Sequence, residues 1–124
     1  MSHFTTIRTK LRNPEYIRLA LQAMGLKEMS HAGLVYGHGG QAERADIVAS
    51  VGHGQVGFRK QGDCYEIVAD WWQVNMNEDK FTAELIRAYA QQAVIAESKK
   101  HGFQVQKTEK MKDGSLRIVV ERWV

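Results

Sequence analysis

Apolar residues recur at three-and-four spacing in two stretches of the chain and alternate at period two across most of the rest. In the first stretch Ile17, Ala20, Leu21 and Met24 fall on one stripe. Asn13-Pro14-Glu15 offers a capping oxygen, a proline whose missing N–H the first turn does not need, and an acid at the positive helix end. Gly25 stops the helix by accepting a left-handed backbone, with Leu26 able to fold back over the last turn. The spacing predicts a helix from Pro14 to about Met24. A longer one follows Asn77: Glu78 and Asp79 sit where the helix dipole favours acids, and Lys99, Lys100 and His101 where it favours bases, just before Gly102. Phe81, Leu85, Tyr89 and Ala93 form one row and Ile86, Ala90 and Val94 an adjacent row, a stripe wide enough to cover a sheet.

Period two governs Ala45 to Val51, Gln55 to Lys60 and Cys64 to Trp72, which are separated by Gly52-His53-Gly54 and Gln61-Gly62-Asp63 and so predict an antiparallel meander. Phe103 to Lys110 and Ser115 to Trp123 read as another hairpin turned at Asp113-Gly114, with weaker strand signals at Thr5 to Leu11 and Gly33 to Tyr36. The expected architecture is α+β: five to seven mostly antiparallel strands with two helices packed on one face. At 124 residues and 14.1 kDa the chain can bury one core, and no linker or repeat divides it, so residues 1–124 read as a single domain.

Composition narrows the function classes. Hydrophobic residues make up 44% and charged residues 25%, as in an ordinary globule. The single Cys64 excludes an intramolecular disulfide and a thiolate-based metal framework. The first residues lack the apolar stretch of a secretory signal, and no run approaches the roughly 20 residues of a membrane span, so a cytoplasmic location without membrane insertion is expected. The formal charge is +3, but both ends of the chain are basic and the middle is acidic. A surface of two signs favours a protein partner or self-association over nucleic acid, which calls for a basic stripe across a whole face.

The most unusual stretch is Tyr65 to Trp72. In a strand Asp70 and Trp72 would share one face and Trp71 the other, so one indole needs cover from a loop, from Trp123 or from another molecule. A carboxylate beside an indole can bind a cation, but pairing with arginine or capping a loop is its commoner use. Tyr36-Gly37-His38-Gly39-Gly40 lacks the Gly-Lys-Ser/Thr ending of a phosphate loop and reads first as turn chemistry. None of the five histidines sits at a metal-binding spacing, so no metal or other cofactor is expected; folding could still gather His3, His38 or His53 with Asp70. Cys64 has no flanking base, no Gly-x-Ser-x-Gly elbow occurs, and no catalytic residue is assigned.

Taken together, the start Met-Ser-His-Phe, the segment Ala45-Asp46-Ile47-Val48, the run containing Val-Ala-Asp-Trp-Trp, and the closing Asp113-Gly114-Ser115 with Arg122-Trp123 resemble a known family. That family is hypothetical chloroplast open reading frame thirty-five, also called domain of unknown function twelve fifty-seven. The resemblance spans nearly the whole chain and implies a cyanobacterial cytosol or a plastid stroma. It brings no catalytic residues to carry over.

The leading expectation is a small noncatalytic accessory or adaptor protein, docking a protein partner or itself through Asp70, Trp72, Arg122 and Trp123. The alternative is a ligand-binding or metal-assisted enzyme that gathers His3, His38, His53 and Asp70 beside the glycine-rich loop.

Overall fold

The computed structural model describes residues 3–29 and 33–122, with the side chains of 104–106 and 120–122 outside that description. The elements run β1 (Phe4–Arg8), α1 (Pro14–Ala23), β2 (Lys27–Glu28), β3 (Gly33–Tyr36), a 3₁₀ turn (His38–Gly40), β4 (Ala42–Ala45), β5 (Ile47–Val51), β6 (Gly54–Gln61), β7 (Cys64–Asp70), α2 (Trp71–Val74), α3 (Glu78–Lys100), β8 (Phe103–Lys110) and β9 (Leu116–Arg122). A five-stranded sheet of order β1-β7-β6-β5-β2 forms the centre, every neighbouring pair antiparallel. Two separate hairpins, β3-β4 and β8-β9, complete an α+β fold.

Both faces of the central sheet are covered. On one, Ile47, Ala49, Val51, Val56, Phe58, Ile67 and Ala69 pack against Ile17, Ala20 and Leu21 of α1 and Phe81 and Leu85 of α3. The two long helices thus share one face, as expected. On the other, Val48 and Val68 meet Val35 and Ala45 of the β3-β4 hairpin, joined by Phe4 and Met29. Strands buried on both sides lose their polar alternation, which is why neither face of Tyr65 to Trp72 is polar in the sequence. Gly57, central in β6, permits the close approach of the hairpin: a Cβ there would lie 2.8 Å from the Ala45 methyl and 3.0 Å from Val35. Arg59 reinforces the join, bonding buried Glu66 at 2.9 Å and reaching Glu43 of β4 at 3.8 Å.

The helix ends form where their caps predict. Asn13 accepts from the Glu15 N–H at 2.9 Å and Asn77 from the Lys80 N–H at 2.9 Å. Three expectations need correction. The strand expected to reach Trp72 stops at Asp70, because the Asp70 side chain caps the helical turn α2. The first strand ends at Arg8, and Leu11 enters the core from the following loop instead. The row Ile86, Ala90 and Val94 does not cover the sheet: all three are exposed, and α3 enters the core through Phe81 and Leu85 of the other row. Nine strands are present among the described residues: beyond the seven segments legible in the sequence stand β2, only two residues long, and β4, exposed except for Ala45. No helix among the described residues is long and apolar enough to cross a membrane.

Candidate functional site

Three segments far apart in sequence meet at the end of β7. Register sets Phe4 of β1 opposite Asp70, placing His3 just beyond that pair. The loop after β3 arrives from the second layer, closed by the Gly37 N–H donating to the Gln41 carbonyl at 2.8 Å. Gly37 lies against the Phe4 ring so tightly that a Cβ would sit 2.9 Å from two ring carbons and 3.0 Å from the Asp70 Cβ. Its backbone is extended, so glycine is needed here for space and not for its torsion angles.

Asp70 is only 1% exposed and organises the site from beneath. One carboxylate oxygen accepts from the His38 N–H at 2.9 Å and the other from the Gln73 N–H at 3.3 Å. The carboxylate therefore fastens the glycine-rich loop and starts α2 at once, the loop-capping use of an aspartate. Entering a helical turn rotates consecutive side chains by about 100° rather than 180°. Trp71 turns inward against Phe81, ring centroids 5.5 Å apart, while Trp72 is left 64% exposed. Asn75 ends the turn in the left-handed conformation, its N–H returning to the Trp71 carbonyl at 3.0 Å.

The exposed indole is not alone. The His3 ring lies 5.3 Å away, tilted by 38°, and the His38 ring 4.9 Å away, edge-on at 87°. Such offset and edge contacts hold an aromatic side chain in place without covering it. His3, His38 and Trp72 thus make one aromatic surface, supported by Asp70 and Phe4.

His53 does not join them. Its N–H donates to the Val74 carbonyl at 3.2 Å, and it lines a neighbouring cleft of about 350 Å³ with Met29, Tyr36, Ser50, Gln55 and Gln73. Asp70 meets the backbone of His38, not its imidazole. Of the four groups expected to gather round the glycine loop, His3, His38 and Asp70 meet at the Trp72 surface and His53 stands apart, and no group of three or more His, Cys, Asp or Glu side chains among the described residues could hold a metal ion. Arg122 lies opposite Phe103 in the separate β8-β9 hairpin with its side chain outside the described set, and Trp123 lies outside the described residues. Cys64 is a half-buried free thiol beside Arg8, Thr9 and Gln61 in another cleft of about 340 Å³.

Perturbed titration occurs elsewhere, where α1 meets α3. The Tyr16 hydroxyl donates to Glu97 at 2.7 Å and the Lys100 ammonium to the same oxygen at 3.3 Å. The Tyr16 hydrogen bond, then the Lys100 hydrogen bond and charge, hold the Glu97 carboxyl below its usual range. The bond to Glu97 pushes both the Tyr16 phenol and the Lys100 ammonium up. This triad fastens two helices at the surface. Sequence reading missed it, and also missed Gly37 and Phe4 as supports of the site, because each acts through a neighbour distant in the chain.

The family model described as protein of unknown function DUF1257 matches residues 20–119. The chain belongs to the DUF1257 family. Relatives named uncharacterized protein ycf35 from Cyanophora paradoxa, Pyropia yezoensis and Guillardia theta are 32%, 30% and 26% identical, each alignment covering 99% of this chain and 98% of the relative. No solved structure matches the chain. The DUF1257 match contains Gly37, His38, Asp70 and Trp72, while His3, Arg122 and Trp123 fall outside it.

Proposed function

We propose that this chain is a noncatalytic accessory protein that docks a protein partner through the surface formed by Trp72, His3 and His38, in a cyanobacterial cytosol or a plastid stroma. One observation carries the reading: an indole 64% exposed, held between two imidazoles on a base that is itself buried and hydrogen-bonded. Tryptophan is the side chain most enriched among residues that dominate binding energy, and a pre-positioned one loses little conformational freedom on docking. Asp70 acts through the loop it fastens. The ycf35 relatives support the location, and no activity is carried across from them.

Affinity purification from a native extract, comparing wild type with Trp72→Ala, tests the reading. A defined partner should be retained by wild type and bind the variant about 30-fold more weakly, the loss of about 2 kcal/mol typical of such an anchor. The melting temperature should scarcely move, because the side chain packs little of the core. Equal retention by both proteins removes the proposal. So does a loss of folding in Trp72→Ala that accounts for any difference.

A further inference from the structure

We infer that the cleft beside Trp72 receives a proline-rich segment of the partner protein, bound in the extended polyproline II conformation. This rests on the reading of that face as a docking surface for protein and adds the chemistry of what docks.

The cleft measures about 350 Å³ and lies where the β3-β4 hairpin meets the β5-β6 turn. It continues the aromatic surface: Gln73 follows Trp72 directly, and Tyr36 stands two residues before His38. Ser50 and Gln55 face each other across the β5-β6 pair, and both line it. Met29 and Tyr36, the latter 50% exposed, supply its apolar walls.

The polar groups of the cleft are one-sided. No Lys, Arg, Asp or Glu lines it, so nothing there selects a charged ligand. The Gln55 Oε1 already accepts from the Tyr36 N–H at 2.9 Å, and the Gln73 Oε1 is buried without a partner among the described residues. What both amides have left to offer is an NH2 group, which only donates. The Tyr36 and Ser50 hydroxyls and the His53 imidazole can donate as well. An occupant matched to this lining is uncharged and presents acceptors. An ordinary extended chain brings an N–H with each carbonyl; proline lacks that N–H, and polyproline II leaves every carbonyl unpaired. Its pyrrolidine rings pack on exposed aromatic faces such as Tyr36, and a helix formed in advance gives up little conformational freedom on binding. A sugar or a nucleobase would bring donors that the two amides cannot accept.

Titrating isotope-labelled protein with decaproline, which spans about 31 Å, tests the inference by NMR. The backbone amide signals of Tyr36, His53, Gln55 and Gln73 should shift saturably, and a Gly-Ser decapeptide should leave them in place. Gln55→Glu keeps the oxygen that accepts from Tyr36 but loses the NH2 donor. It should weaken decaproline binding at least about tenfold with the melting temperature unchanged. Tyr36→Ala, at an exposed position, should weaken it comparably without adding a charge. Signals unmoved by about 2 mM decaproline overturn the inference, as do equal shifts with the Gly-Ser peptide or wild-type affinity in Gln55→Glu. So does a response to adenosine or glucose where decaproline gives none, which would make the occupant a base or a sugar. Trp72-dependent capture of a partner beside a silent decaproline removes this inference and leaves the docking reading in place. Capture that ignores Trp72 while decaproline still shifts the cleft removes the Trp72 anchor and keeps the cleft.

Discussion

At the scale of single residues, Asp70 carries the clearest consequence. A carboxylate buried without hydrogen bonds costs several kcal/mol, and Asp70 meets that cost with two backbone N–H groups from different segments. Asp70→Ala removes the helical cap and leaves the His38 N–H without its acceptor, so urea unfolding should show a loss of about 2–4 kcal/mol. Asp70→Asn keeps an acceptor oxygen and should lose less. A change under about 0.5 kcal/mol in the alanine variant would mean that the loop holds its place without the carboxylate. The two roles also separate by readout: Asp70→Ala should weaken partner binding together with stability, Trp72→Ala binding alone. Much of this was legible beforehand. A short acidic side chain at the end of an apolar run is a natural cap, and two adjacent indoles cannot enter one layer. That the Asp70 partner is His38, and that His3 completes the aromatic surface, rests on strand register and chain path, which no local pattern encodes.

Elements were legible in proportion to how local their causes are. The ends of α1 and α3 follow from asparagine caps, a first-turn proline and dipole-matched charges, all within a few residues of the helix. The β5-β6-β7 meander follows from its glycine turns. β2 escapes because two residues have no period, and β4 because an edge hairpin whose strand is mostly exposed resembles a loop. The outward row of α3 was read as core since apolar spacing defines a stripe but not what covers it. The join between α1 and α3 is testable by titration. Glu97 is held low, so its contribution to stability is present above the ordinary carboxylate range and is lost as pH falls through its lowered folded value. Tyr16 is held high, so its contribution is present below the ordinary phenol value and is lost as pH rises through the raised one. Carboxyl-resolved NMR titration should find Glu97 moved back up toward its usual range in Tyr16→Phe and in Lys100→Ala alike, since each removes a hydrogen bond that holds it down. A Glu97 that does not move in Tyr16→Phe would mean that the phenol does not hold it.

For the whole molecule, the layers predict unequal stability. Strands β6 and β7 lie inside a sheet covered by helices on one face and the β3-β4 hairpin on the other, so their amides open only when the domain unfolds. The β8-β9 hairpin is a two-stranded sheet whose main support is α3, and a two-stranded sheet is marginal without such backing. Native-state hydrogen exchange should therefore find β8 and β9 opening at least about 2 kcal/mol below β6 and β7, roughly a 30-fold difference in protection. Identical opening energies would make the hairpin part of one cooperative unit.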